Sequence, residues 1–213
     1  MIKKLFIIIL FVSITSFSFS ENVVVFQFTE EEKDILKVRK IKKNTSYTLG
    51  TNENGNYLKA EAKGQASGLG IEKKIDLNKT PILNITWKVE KDLSGINERG
   101  KKGHDYAARV FVIKKTGKTA LSNRAINYVF SSNEEVGNYW TSPFTKKSID
   151  YVLSTTKNSL NEWNTVKTNV KKDFKKLYNL DVNEIEGVAI MTDTDNSKKL
   201  AIAYYQNIYF SSE

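Results

Sequence analysis

Two apolar runs near the C-terminus, separated by one polar turn, restrict what this chain can fold into more than any other feature. Gly187 to Thr192 is apolar and partly β-branched, and Leu200 to Phe210 is apolar and aromatic. Between them, Asp193 to Lys199 gathers Asp, Asn, Ser and Lys. Asp, Asn and Ser side chains hydrogen-bond their own backbone and so mark turns. Apolar runs bounded by such residues read as strands, here a strand pair. Strands with no polar face need cover on both sides, so both runs are expected in the middle of a sheet packed on another layer.

The rest of the chain supplies the partners. Ile82 to Val89 alternates, placing Leu83, Ile85, Trp87 and Val89 on one face as core. Val23–Phe28, Tyr106–Lys114, Ala125–Ser131 and Tyr151–Ser154 read as further strands. Ser46–Leu49 and Tyr57–Ala62 flank Asn54-Gly55, a strong hairpin signal. Gly64–Gly70 contains enough glycine to suggest a phosphate-cradling loop, but such a loop opens a helix. Here both flanks look like strands, so a turn or bulge is expected. Trp163 is expected in the core beside Trp87. Helical spacing is confined to Lys171–Tyr178, with one short turn over Thr29–Leu36. Nine or ten short strands and few helices predict an all-β protein. The expected form is a jelly-roll sandwich of two mostly antiparallel sheets with one or two short helices. Its N-terminal strand should lie beside the C-terminal pair.

The start of the chain reads as a leader. Lys3 and Lys4 precede an apolar run, Leu5 to Phe17, which is shorter than the roughly 20 residues a spanning helix needs. Ser18-Phe19-Ser20 has the small-x-small form of a cleavage site. The expected mature chain is therefore residues 21–213, one sandwich domain, exported to the periplasm or beyond, with no transmembrane segment after cleavage. There is no cysteine, so no disulfide and no thiol-linked lipid anchor. The formal charge of +9 is carried by scattered lysines such as Lys37–Lys43 and Lys171–Lys176. No arginine-rich or aromatic-basic stripe that would track a phosphate backbone is present, which argues against nucleic acid. Scattered lysine suits a solvated surface, or attraction to acidic glycans and lipid headgroups.

Several blocks resemble the bacterial domain of unknown function 3047 family. They are Ala66-Ser67-Gly68-Leu69, Ile75-Asp76-Leu77 with Pro81, Thr86–Val89, Asp105–Val110, Asn127-Tyr128-Val129 with Ser131-Ser132, and Asn138–Phe144. Asn169-Val170, Asp173-Phe174, Met191–Asn196 and Ala203-Tyr204-Tyr205 continue the match. The resemblance implies an exported bacterial protein with a galactose-binding-like or carbohydrate-binding jelly roll, and no assigned function. Two departures stand out. His104 stands where the resemblance implies an acid, and Gln206-Asn207 where it implies Gly-Asp. Both weaken any acidic site it would carry.

Among candidate site residues, Arg109 interrupts an apolar strand. A buried guanidinium without a partner is very costly, so a carboxylate is expected against it, Asp193 first and Asp105 second. A purely structural ion pair is one reading. The other sets Arg109 and Asn127 at the floor of a polar pocket, with Tyr106 and Asp105 beside them as ligand residues. Trp140, next to Asn138 and Tyr139, either stacks on a sugar face or plugs the end of the sandwich. Asp193, Asp195 and Asn196 offer hard oxygens suited to calcium, or form only a turn. No cofactor is expected beyond, at most, such a structural calcium ion. His104, the single histidine, reads as a surface residue, and no Gly-x-Ser-x-Gly elbow accompanies it. The function best matching these features is non-catalytic binding of a carbohydrate or other envelope polymer. A polysaccharide hydrolase or lyase using Asp193, Asp195 and Arg109 is the alternative, and a structural envelope protein without a small ligand is the third.

Overall fold

The computed structural model describes residues 22–119 and 122–213. The leader read over Met1–Ser20 lies outside them. Thirteen strands form two sheets. They are β1 (Val23–Phe26), β2 (Lys37–Lys40), β3 (Ser46–Asn52), β4 (Gly55–Lys63), β5 (Ala66–Asp76), β6 (Ile82–Lys91), β7 (Ala108–Lys114), β8 (Arg124–Ser131), β9 (Tyr139–Thr141), β10 (Ser148–Thr155), β11 (Asn164–Asn169), β12 (Glu184–Asp193) and β13 (Leu200–Ser211). Three α-helices accompany them, α1 (Glu30–Ile35), α2 (Thr156–Ser159) and α3 (Val170–Tyr178), with one 3-10 turn at Lys101–Gly103. This is the expected jelly-roll sandwich. It has more strands than the sequence suggested, the short edge strands β2 and β9 among the additions.

One sheet runs β11-β6-β13-β4-β3, with β1 continuing the β4 position against the far half of β13. The other runs β2-β5-β12-β7-β8-β10-β9. Every pair is antiparallel except β10 on β8. The N-terminal strand does lie beside the C-terminal one, Val23 opposite Phe210. The expected strand pair needs correction. β12 and β13 belong to different sheets, and Thr194–Lys199 carries the chain across the sandwich. Each is central in its own sheet, β12 between β5 and β7 and β13 between β6 and β4. Both edges of each strand are thus paired, but the expected cover on both faces is incomplete: on β13 the outward Ile202, Tyr204 and Tyr209 are only half-buried.

The two sheets meet on the faces the alternation selected. Leu83, Ile85, Trp87 and Val89 of β6 are fully buried. They face Val110, Val112, Ile126, Tyr128 and Phe130 across one hydrophobic core. The Trp87 indole N–H donates to Ser154 Oγ at 2.9 Å, which allows a polar atom in that core. Trp163 corrects the sequence reading. It is half-buried on the outside of the six-stranded sheet, packed on Tyr57 and Tyr204. Gly64–Gly70 is likewise mostly strand: only Gly64, at φ +67°, makes the turn, and Gly68 and Gly70 lie within β5. Both long helices are capped by their own sequence. Thr29 Oγ1 accepts from Glu32 N while the Glu32 carboxylate accepts from Phe28 N, a reciprocal cap. Asn169 caps α3 through Lys172 N.

Candidate functional site

The candidate residues converge on the outer face of the seven-stranded sheet. On β7, Val110 and Val112 enter the core, so Arg109 and Phe111 point outward. The pairing register sets out two rows across this face. One runs Trp140, Asp150, Asn127, Phe111, Ala189. The next runs Val152, Val129, Arg109, Met191. The segment from Asp92 to Ala107 folds back over these rows instead of standing in solvent. It is held by buried Glu98, whose carboxylate accepts from Ser131 Oγ at 2.5 Å, Ser132 N at 2.8 Å and Asn133 Nδ2 at 2.9 Å. Burial raises the Glu98 pKa, and those three donors oppose the rise. Arg99 adds a two-pronged contact to Glu134.

Arg109 and Asp193 meet as expected. Arg109 Nη2 donates to Asp193 Oδ2 at 2.5 Å, with both side chains almost wholly buried. The guanidinium sits 5.2 Å from the ring centres of both Tyr106 and Phe111, a cation-π arrangement. It also reaches Met191 Sδ at 3.4 Å, while its Nε has no partner. Asp193 Oδ1 accepts from Tyr106 N at 3.2 Å. Burial raises the Asp193 pKa to about 7; Arg109 opposes this and the neighbouring Asp105 adds to it. The guanidinium stays protonated: burial disfavours its charge, but Asp193 and the other acids around it outweigh that.

Asp105 does not reach Arg109 as a bonded partner. Its carboxylate holds the crossing turn instead, accepting from Asn196 N, Asn196 Nδ2 and Ser197 N. Oxygens of Asp105, Asp193 and Asp195 lie within 4.8 Å of one another. The sequence proposal of a calcium loop over Asp193, Asp195 and Asn196 thus has its carboxylates close together. Yet Asp105 is spent on N–H donors of the turn, Asp193 on Arg109, and the Asn196 amide donates to Asp105 and to His104 O. This donor set supports the turn reading.

Asn127, at the floor of the face, donates Nδ2 to Asp150 Oδ1 at 2.5 Å, and its own Oδ1 has no partner. The other Asp150 oxygen lies 2.8 Å from His104 Nε2. The sequence reading of His104 as a surface residue is therefore corrected. It is buried, edge-on to the rings of Tyr106 at 5.3 Å and Phe144 at 5.4 Å. The Asp92–Ala107 segment carries it under cover, which its polar surroundings in sequence did not reveal. Asp150 was missed as well, although it carries the same signal as Arg109: a lone charge in an apolar strand, between Ile149 and Tyr151. Trp140 packs on Tyr106, Val129 and Val152 as a second small cluster, with the Arg99 guanidinium 4.7 Å over its ring. Its Nε1 is buried without a partner, as is the Tyr106 hydroxyl. Two hollows of about 220 and 340 Å³ lie elsewhere, around α1 and β2.

The sequence matches the family described as "Protein of unknown function (DUF3047)" over residues 32–209. The chain belongs to the DUF3047 family. No curated protein sequence matches this DUF3047 chain. Among solved structures it is similar to a family 30 carbohydrate-binding module of a Clostridium thermocellum cellulosomal cellulase, with a TM-score of 0.53 and 9% identity over 91% of this chain and 98% of that one. A second family 30 carbohydrate-binding module matches with a TM-score of 0.49 and 11% identity, over 91% and 88% of the two chains. The xyloglucanase domain of NopAA from Sinorhizobium fredii, solved with cellobiose, matches at 0.46 and 11%, over 83% and 92%. At these identities the first likeness establishes the fold of this DUF3047 protein and nothing about its residues.

Proposed function

We propose that the protein is exported and binds a carbohydrate or other envelope polymer without turning it over, on the outer face of the seven-stranded sheet. One observation carries this reading. Four buried polar atoms without partners belong to this face: Tyr106 Oη, Arg109 Nε, Asn127 Oδ1 and Trp140 Nε1. A buried polar group left unpaired costs about 1–3 kcal/mol, so four on one face favour a ligand that supplies polar atoms where the Asp92–Ala107 cover gives way to it. Two are N–H donors, one is a carbonyl acceptor and one is a hydroxyl that does both. Sugar hydroxyls also donate and accept, and the half-buried Phe111 and exposed Phe144 rings at the rim suit their apolar faces. A shared fold with a carbohydrate-binding module is a precedent for the architecture only.

A glycan array probed with the Glu21–Glu213 chain tests the proposal, followed by calorimetry on any hit. Tyr106→Phe removes one unpaired polar atom and keeps the ring, and Trp140→Phe removes one while trimming the indole to a phenyl ring. Each is expected to weaken binding about tenfold, the loss of roughly one net hydrogen bond; Tyr106→Phe should leave stability equal or higher, whereas Trp140→Phe also opens a small void against Val129 and Val152. An array without a hit, or a hit indifferent to both variants, would overturn it. The contact of His104 with Asp150 favours a second reading, a polysaccharide hydrolase or lyase, because a carboxylate orients an imidazole for proton transfer. Release of reducing ends that His104→Gln abolishes would establish that reading in place of the first.

A further inference from the structure

The stretch Lys33–Lys43, outside the site just described, combines two properties that rarely coincide on a soluble surface. It holds six cations, Lys33, Lys37, Arg39, Lys40, Lys42 and Lys43, against one acid, Asp34. Interleaved with them are three apolar side chains that face solvent: Ile35 is 65% exposed, Val38 60% and Ile41 58%. They span the end of α1, the edge strand β2 and the bend after it. Lys33 and Lys37 have acidic neighbours, Glu30 and Glu72, both exposed. Arg39, Lys40, Lys42 and Lys43 have no acidic partner among the described residues. Lys198, from the turn before β13, extends the patch, since contact with Lys42 lowers its pKa.

Edge strands commonly carry lysine, which blocks pairing with other chains. That accounts for the cations and not for Ile35, Val38 and Ile41. An edge guarded by charge alone would have polar residues there. Acidic glycans and nucleic acids are held by the charges and give no role to exposed aliphatic side chains. An anionic bilayer uses both, because basic residues gather at its charged surface and apolar ones enter the headgroup boundary. Val38 also lines the hollow of about 220 Å³ that opens between the sheets, next to Leu36, Leu49 and Leu58. The patch is therefore continuous with a further apolar surface.

We infer that Lys33–Lys43 is a membrane-surface docking segment, and that its partner is the headgroup layer of an anionic phospholipid bilayer. The segment lies at the β2 edge of the same seven-stranded sheet, with Lys37 and Arg39 opposite Gly70 and Gly68, but the inference uses none of the residues of the proposed glycan site and does not rest on it. The test is co-sedimentation of the Glu21–Glu213 chain, its fold checked by circular dichroism, with lipid vesicles. Phosphatidylcholine alone is compared with vesicles in which about a third of the lipid is phosphatidylglycerol. Partition into the anionic vesicles is expected to exceed that into the neutral ones at least tenfold, and to fall with added salt. Replacing Lys40, Lys42 and Lys43 with Gln should lower it by on the order of 100-fold, from about fivefold for each basic residue at such a surface. The triple change Ile35→Ser, Val38→Ser and Ile41→Ser should lower it about tenfold or more with the fold unchanged, since all three side chains are exposed. Equal partition into both vesicle types would overturn the inference. So would loss of binding in the lysine variant alone, which would mark a charge patch for soluble polyanions instead.

Discussion

Arg109→Met should destabilise the protein by an amount that grows as pH rises past 7. The pair it breaks is almost fully buried, with Nη2 and Oδ2 2.5 Å apart. Removing one member of a buried pair leaves an uncompensated charge, at a cost of about 3–5 kcal/mol. That full cost requires Asp193 to be ionised. In the parent its pKa is about 7; without the guanidinium, which holds it down, the carboxyl keeps its proton to higher pH, so at pH 8 the variant meets part of that cost by staying protonated, and at pH 5 both forms are mostly neutral. At pH 5 the substitution loses a hydrogen bond to a neutral carboxyl group, about 1 kcal/mol. The sign for the parent follows from the same pKa. The folded carboxyl binds its proton more tightly than an unfolded one, whose pKa is near 4. Its contribution to stability is complete below pH 4 and is lost as pH rises to 7. A shift of about three units corresponds to roughly 4 kcal/mol, and Asp193→Asn should flatten that slope. Urea melts of the parent, both single variants and the double variant at pH 5 and pH 8 measure all of this. The double change should cost much less than the two single changes together at pH 8. Equal Arg109→Met costs at the two pH values, or strictly additive losses, would refute the reasoning.

Calcium in millimolar excess should leave the melting temperature unchanged, because the carboxylates of the crossing turn already hold protein donors. A rise that Asp195→Asn abolishes would instead assign the cluster to the metal. Trp87→Phe should cost about 1–3 kcal/mol in urea melts, from a lost bond to Ser154 and a new void in the core. A neutral result would mean the core readily repacks there. Sequencing of the protein recovered from the cell envelope should begin at Glu21, and Met1 at the terminus would make the leader an anchor.

Local pattern revealed the strands and one half of the site. The alternation of Ile82 to Val89 named four core residues correctly, because a half-buried strand must alternate. Arg109 was legible for a related reason: a charge in an apolar run needs a buried partner, and Asp193 ended a neighbouring run. What local pattern could not carry was which sheet a strand joins. A hairpin turn and a crossing turn use the same Asp, Asn and Ser residues, so β12 and β13 read alike in either arrangement. His104 was misread because its burial depends on Glu98 tying a distant segment to Ser131 and Ser132. Trp163 was misread because its face follows from the register of β11 on β6, Asn164 opposite Trp87.

Two of the connections that cross between the sheets, β4 to β5 and β12 to β13, are fastened to each other. Gly64 N donates to Thr194 Oγ1 at 2.7 Å, and Thr194 N donates to Gln65 O at 2.9 Å. A chain that has not yet received Glu184–Glu213 lacks the central strand of both sheets and one side of this clasp. Neither the β5–β7 neighbourhood nor the β6–β4 neighbourhood has its filler until the final segment arrives. Such separation in sequence makes the closing step slow, because loop entropy is lost before the contacts form. The nascent chain should therefore remain open, with Arg109 unmatched, for as long as its last strands are missing. It should then fold as one unit when they appear.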